Sequence, residues 1–462
     1  MKTIMRACVA SLAIGLVVGR ANAWEAQTTH AGLAEQAALG SSLHKRLIAL
    51  GWSGGLFESL TVPPKDAQAL FEALQRMSPV HGSVPDARGR QTALAWIAAG
   101  SAIADIPANY GANHFFDPTT GKGWIHPSIG VIATLAHLLR SGHSSLPDRG
   151  IAAPDWVTDK RNPLNLAGFL DQYAKAASAA TPGQRSRAMA GALIAAGALL
   201  HVLGDLGNPS HVRSDEKAHF ASLSGVPTDL GSRFERIAAL SYGRLGVPPP
   251  AHQVTRAHLR EFFTSKDGNG LADVISRSYF SANTLPSPSR ISTATQPMLA
   301  RALPNLPDKL NLIAASREEG TTLRAADGTC LARYRVEHST VSFSLDDDCV
   351  LEQVAAILPE VSAYETGMLE FLFRGELTIT TGSNAVVTGR GLGAGVVQIL
   401  LEDERGIRTA IRTSEVRGDS DQLAEVSIPS GGTRIVAVFR GADAAGEPIV
   451  AIGAASLSAE TR

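Results

Sequence analysis

"HVLGDLGNPSH", residues 201–211, closes an alanine- and leucine-rich run, "QRSRAMAGALIAAGALL", whose apolar residues keep helical spacing. On such a helix His201 and Asp205 project from one face, because residues four apart stack along it. Gly207 and Pro209 then stop the helix, and His211 follows the break. An i, i+4 histidine–aspartate pair can serve one metal ion while the chain beyond the turn offers His211 to a neighbouring one. Imidazole with carboxylate suits Zn²⁺. A buried polar side chain bonded to backbone would account for any one of these residues alone. Three together on so apolar a scaffold point to metal.

Working outward, "ADIPANYGANHFFDP", residues 104–118, places Asp105 and His114 on either side of a Pro/Asn/Gly-rich loop that can fold both toward one site. Phe115 and Phe116 follow, able to keep water off one side, and Asp117–Pro118 reads as a turn. The N-terminus has a basic start, "MKTIMR", an apolar run, "ACVASLAIGLVVG", and "RANA" before Trp24. That is the pattern of a cleaved secretory signal, and the run is short of the ~20 residues that span a bilayer. No other stretch reads as a membrane span. Cleavage after Ala23 frees the Trp24 α-amine, which chelates a metal once deprotonated. His30, at the start of the first helix, is its candidate partner.

The chain has 462 residues, is 44% hydrophobic and 18% charged, and carries a formal charge of −1. Its length suggests two or three units. The charge gives no basic footprint of the kind duplex nucleic acid requires, so no stable nucleic-acid complex is expected. From Thr28 to about Ala282 the pattern is mostly helical, and "VLEQVAAILPEVSAYETGMLEFLFRG" is a further helix, interrupted near Pro359. After Gly375, "ELTITTG", "NAVVTG", "VVQILLED", "TAIRTSEV", "LAEVSIP" and "TRIVAVFRG" are β-prone runs set apart by turn residues, a small sandwich without histidine or cysteine. Cys330 and Cys349 read as a disulfide closing a hairpin around Ser339–Thr340. His44, His137, His252 and His258 read as surface or capped residues, and His126 as a candidate for substrate contact.

In "WEAQTTHAGLAEQ", in Asp105 with "HFFDPTT", and in the H-x3-D-x5-H of "HVLGDLGNPSH", in that order, the chain resembles the bacterial zinc-dependent phospholipase C family of the alpha-toxin type. It resembles the S1/P1 nucleases more distantly. The resemblance covers residues 24 to roughly 285. It implies a mainly α fold: a multi-helix phospholipase C/P1 nuclease-like bundle, followed here by the small C-terminal all-β sandwich. The corresponding divisions are a signal peptide 1–23, a zinc-dependent helical domain 24–285, a linker, disulfide hairpin and closing helix 286–375, and a β-sandwich-like domain 376–462.

The resemblance further implies two to three Zn²⁺ ions. Asp105, His114, His201 and Asp205 would hold one; Trp24, His30 and the shared Asp205 would hold the second; His211 would begin a third. The family completes that third site with a His-x3-Glu pair. Here "GSRFERIA" matches at Glu235, but Gly231 stands where the histidine belongs. His219 is the substitute ligand, with Asp215 behind it.

The function so implied is a secreted or periplasmic zinc-dependent phosphodiester hydrolase acting on phospholipid headgroups, with Asp105 orienting or deprotonating the attacking water and a membrane surface as a possible contact. The alternatives are an S1/P1-like single-strand nuclease, and a non-catalytic exported protein in which zinc is a structural staple and the β domain binds.

Overall fold

The computed structural model of the chain describes residues 26–62, 68–77, 88–125, 147–216, 218, 233–290, 321–338, 340–418 and 420–457. The architecture is built around one long helix, Pro182–Gly204. Thr181 and Gln184 form a capping box at its start, with proline in the first turn, where a missing N–H costs nothing. From Ala188 onward all but Gly191 of its residues are buried. The stretch Pro182–Gly207 is long and apolar enough to cross a membrane, but 94% of its apolar window is buried inside the protein, the position of a core helix.

The helix Ala93–Ile103, capped by Thr92, packs closely against this one, backbone to backbone at two glycines. A Cβ added at Gly100 would lie 2.0 Å from the Ile194 carbonyl oxygen, and one at Gly197 would lie 2.0 Å from that of Ile97. Each glycine thus makes room for the other helix's backbone. The crossing brings Asp105, two residues past the end of one helix, to the last turn of the other. Helices Ala31–Gly40 and Leu166–Ser178 pack on the same core.

The helical core does not end near residue 285. Helix Asp347–Leu372 runs through it, burying Val354, Ile357, Leu358, Val361, Met368 and Leu369. Nor does Pro359 interrupt that helix. An interior proline costs about 3 kcal/mol, while each buried aliphatic side chain around it returns roughly 1.5–3 kcal/mol. Packing wins.

The disulfide joins Cys330 to Cys349 with 5.1 Å between the Cα atoms, but it does not close the hairpin. Strands Cys330–Glu337 and Thr340–Ser344 form the hairpin, Glu337 opposite Thr340, whereas Cys349 lies in the first turn of helix Asp347–Leu372. The bridge therefore clamps the hairpin to the helix, and Gln353 reinforces it by donating to the Cys330 and Leu331 carbonyls at 3.2 and 3.1 Å. Of the proline- and serine-rich run 283–297, residues 291–297 lie outside the described residues, as does all of "GVIATLAHLLRSG".

The C-terminal strands form two sheets. In the larger the order is Arg408–Val416, Leu392–Glu402, Arg434–Asp443, Pro448–Ser456 and Gly375–Glu376; in the smaller it is Gln422–Ser427, Asn384–Thr388 and Thr378–Thr381. Alternation along the larger sheet sorts its side chains. Val397, Ile399, Ile435, Ala437 and Phe439 face the small sheet's core, while Leu400, Val436, Val438, Val450 and Ile452 join the helical core. The sandwich is thus docked on the helices by a whole sheet face. Strand Pro448–Ser456 had no clear β signature, because alanine and glycine fill "AIGAAS". Its partner Arg434–Asp443 and its burial on both faces make it a strand.

Candidate metal centre

The end of helix Pro182–Gly204 meets the segment after helix Ala93–Ile103 and the start of helix Ala31–Gly40, and their polar side chains converge. His30, Asp105, His114, His201 and Asp205 are each at most 1% exposed. Two donor sets, His30/His201/Asp205 and Asp105/His114/His201, each have all ligand atoms within 4.8 Å of one another.

Asp205 is the pivot. Its Oδ1 lies 2.7 Å from His30 Nε2, and its Oδ2 lies 2.7 Å from His114 Nδ1 and 3.3 Å from His201 Nε2. One carboxylate thus turns one oxygen to each donor set. Asp105 faces the second set, Oδ1 at 3.2 Å from His114 Nδ1 and Oδ2 at 3.3 Å from His201 Nε2. His201 Nε2, between two carboxylates, makes no hydrogen bond with either. Buried imidazole nitrogens and carboxylate oxygens this close together, with His201 Nε2 left unmatched among them, fit a bound divalent cation, and this donor chemistry suits zinc.

The electrostatics follow from burial and charge. Burial would lower the His201 pKa, but Asp205 and Asp105 outweigh it and carry it up to about 10. His30 goes the other way, down to about 4, through burial and then the His201 charge. The two rings stack 3.6 Å apart, tilted by 18°, which a charged and a neutral imidazole tolerate and two charged ones would not. Burial pushes the Asp205 carboxyl up, but His201 and His30 hold it well below the ordinary value.

A second cluster lies beside the first. His211 Nε2 is 3.9 Å from Glu235 Oε1, both side chains buried. Two ligands at ~2.0–2.2 Å from one zinc stand no more than about twice that apart, so this pair is within the span. His211 Nδ1 donates to the His114 carbonyl at 3.3 Å, which turns Nε2 toward Glu235. Phe115 stacks on the His211 ring at 3.7 Å and is 3% exposed, in keeping with its expected water-excluding place. Asp117 forms a turn, its Oδ1 accepting from the Thr119 amide and hydroxyl, and its Oδ2 accepting from the Ser214 hydroxyl.

Asp215 is not brought to the cluster as a ligand. Its carboxylate is occupied by the Asn283 amide, the Asn283 side chain and the Ala218 amide at 2.9, 2.8 and 3.2 Å. Trp24, His126, His137, His219 and Gly231 lie outside the described residues. Of the other histidines, His44 accepts from the Leu56 amide, while His252 and His258 pair with Glu360 and Glu447.

Two polar residues of the site had no part in the sequence reading. Asn208 donates to Glu235 at 2.7 Å; in "LGNPSH" it stands between Gly207 and Pro209, the residues read as stopping the helix. Glu365 lies on helix Asp347–Leu372, 1% exposed, its carboxyl against Gly204. Its one signal was an acidic residue inside the apolar run "AYETGMLEFL".

No family model matches the chain, and no curated protein matches it. Among solved structures it is similar to an alpha toxin from Clostridium absonum, at 11% identity and a TM-score of 0.28 over 95% of this chain and 96% of that one. It is also similar to a Clostridium perfringens alpha-toxin isolated from avian strain SWCP, at 11% identity and a TM-score of 0.28 over 95% and 100%. The functional reading rests on the site's own geometry.

Proposed function

We propose that the chain is an exported zinc-dependent phosphodiester hydrolase acting on phospholipid headgroups. The observation that supports it best is the pair of donor sets that have His201 in common and that Asp205 faces with one oxygen each. A structural zinc is satisfied by four ligands. Here five buried imidazole and carboxylate groups converge, and His211 with Glu235 stands beside them. The surplus calls for at least two ions sharing one carboxylate, the arrangement of two-metal hydrolytic sites. Clustered zinc, when bound, neutralises phosphodiester oxygens and lowers the pKa of water toward ~7.

His30, Asp205 and the Trp24 amine would hold one ion; Asp105, His114, His201 and Asp205 would hold another; His211 and Glu235 belong to a third, with His219 as its remaining candidate. Asp105 orients the attacking water and accepts its proton. Its two oxygens each face a different imidazole, Oδ1 toward His114 and Oδ2 toward His201, so one can turn to water while the other stays a ligand. The Phe115 ring covers His211 and excludes water there.

Two observations favour lipid over nucleic acid. Leu240, on the helix Arg233–Ser241 that carries Glu235, and Leu245, shortly after it, are 81% and 78% exposed and present apolar side chains to solvent. The Phe115 face, which would have to stack a base, is already covered by His211. The disulfide fits an oxidising compartment.

Complete burial of the five groups also favours the non-catalytic staple, since structural zinc sites are closed. One experiment separates the readings. The purified protein is analysed for metal and assayed on a phosphocholine ester, phosphatidylcholine vesicles and single-stranded DNA, with and without chelator. Chelator-sensitive release of headgroup is the expected result. Cleavage of DNA alone would move the protein to the nucleases, and tightly held zinc with no hydrolysis would make it a staple.

A further inference from the structure

Glu365 is a buried carboxyl with neither oxygen in a hydrogen bond. It is 1% exposed, on a helix face it shares with Val361, Met368 and Leu369. Leaving a buried polar group unmatched is costly, so its place needs a reason. That place is directly behind the donor cluster. A Cβ on Gly204 would stand 2.4 Å from Glu365 Oε1 and 3.4 Å from His30 Nδ1. The glutamate oxygen and the outer nitrogen of His30 therefore flank one backbone position, and that position immediately precedes Asp205. Only glycine leaves space there for both.

The inner nitrogen of His30 is accounted for, since Nε2 faces Asp205 Oδ1 at 2.7 Å. A neutral imidazole has one donor and one acceptor nitrogen. If Nε2 ligates a cation, the proton sits on Nδ1, and metal-bound histidines pass that proton's hydrogen bond to a carboxylate or carbonyl. We infer that Glu365 is a positioning residue of the metal centre, whose carboxylate receives the His30 Nδ1 hydrogen bond, fixes the ring's tautomer and adds negative charge behind the cations. The inference rests on the metal-centre reading of the cluster.

The test uses the full-length protein and two variants. E365L removes the acceptor and keeps an apolar side chain in the helix; E365Q keeps one acceptor oxygen. Zinc affinity is measured by competition with a chelator, and thermal unfolding is followed on chelated samples. E365L is expected to hold zinc about 10- to 100-fold more weakly than the parent protein, with E365Q between them. Metal-free E365L is expected to unfold at or above the temperature of the metal-free parent, because an unmatched polar group has been replaced by an apolar one. A merely structural glutamate would shift both quantities downward together. Unchanged zinc affinity in E365L, or metal-free stability falling in step with it, would overturn the inference. A parent protein that takes up no zinc would sink the metal-centre reading as well, whereas a loaded parent beside an equally loaded E365L would sink this inference alone.

Discussion

At the level of single residues, Asp205 and Asp105 differ in what they are expected to do. Asp205 faces both donor sets, so Asp205→Ala should release more zinc than His30→Ala or Asp105→Asn, as read by metal analysis after dialysis. Asp105→Asn keeps the shape and removes the base. Its turnover is expected to drop roughly 10²- to 10⁴-fold, with zinc content falling less; equal losses of zinc in all three variants would contradict the shared-carboxylate arrangement.

His201 sets a pH dependence. In the metal-free fold it titrates at about 10 against 6.5 for an ordinary histidine. The folded chain binds that proton more tightly, so the stabilisation is full below the ordinary value and is lost as pH rises toward 10. Glu365, raised well above the carboxylate range by burial, acts in the same direction. Chelated protein should therefore melt at a lower temperature at pH 9.5 than at pH 6.5, and zinc uptake at pH 8 should release protons into an indicator dye. Histidines and aspartates in strict order were legible from sequence because metal chemistry needs few residue types. Glu365 was not, because one acidic residue in an apolar helix has no partner in sequence, only in space.

Among elements, the crossing of Ala93–Ile103 with Pro182–Gly204 carries the geometry of the centre. In an ordinary helix, glycine to alanine is favourable by roughly 0.5–1 kcal/mol. At Gly100 and Gly197 the new methyl would meet a carbonyl oxygen at 2.0 Å, so the sign reverses. Either alanine variant should be destabilised by about 1–3 kcal/mol, the usual cost of overpacking, and should bind zinc more weakly because Asp105 is pushed away from His201. Denaturant unfolding and zinc titration check this.

The disulfide is an element-scale device too. Reducing Cys330–Cys349 is expected to cost about 2–4 kcal/mol, seen as a lower midpoint in reductant. The hairpin itself could be read from its alternation. That the bridge ties the hairpin to a helix and does not close it could not, because the acidic run "LDDDC" starts the helix beyond the second strand, with Asp346 capping it by accepting from the Cys349 amide at 2.8 Å. Pro359 misled for a related reason: a local rule was outweighed by tertiary burial.

For the whole molecule, the helical part and the strand-rich tail were visible as a change in composition near residue 375, but their attachment was not. Periodicity reports that a strand has two faces and is silent on what covers them. Here one face of the larger sheet is continuous with the helical core. Deleting residues 376–462 is therefore expected to yield an insoluble or dye-binding chain, although none of the tail's described residues belongs to the donor cluster. A soluble, zinc-loaded truncation would show the docking to be dispensable.

Arg408 and Arg185 complete that attachment. Arg408 donates to Glu402 at 2.6 Å and to the Ala177 carbonyl, and Arg185 reaches the Gly406 carbonyl at 2.8 Å. A full sheet face and these guanidinium pins join the two parts through one continuous core. Anything that leaned on the outer sheet would therefore meet the buried donor cluster from a bearing set by this docking, as a bracket fixes the angle of a blade.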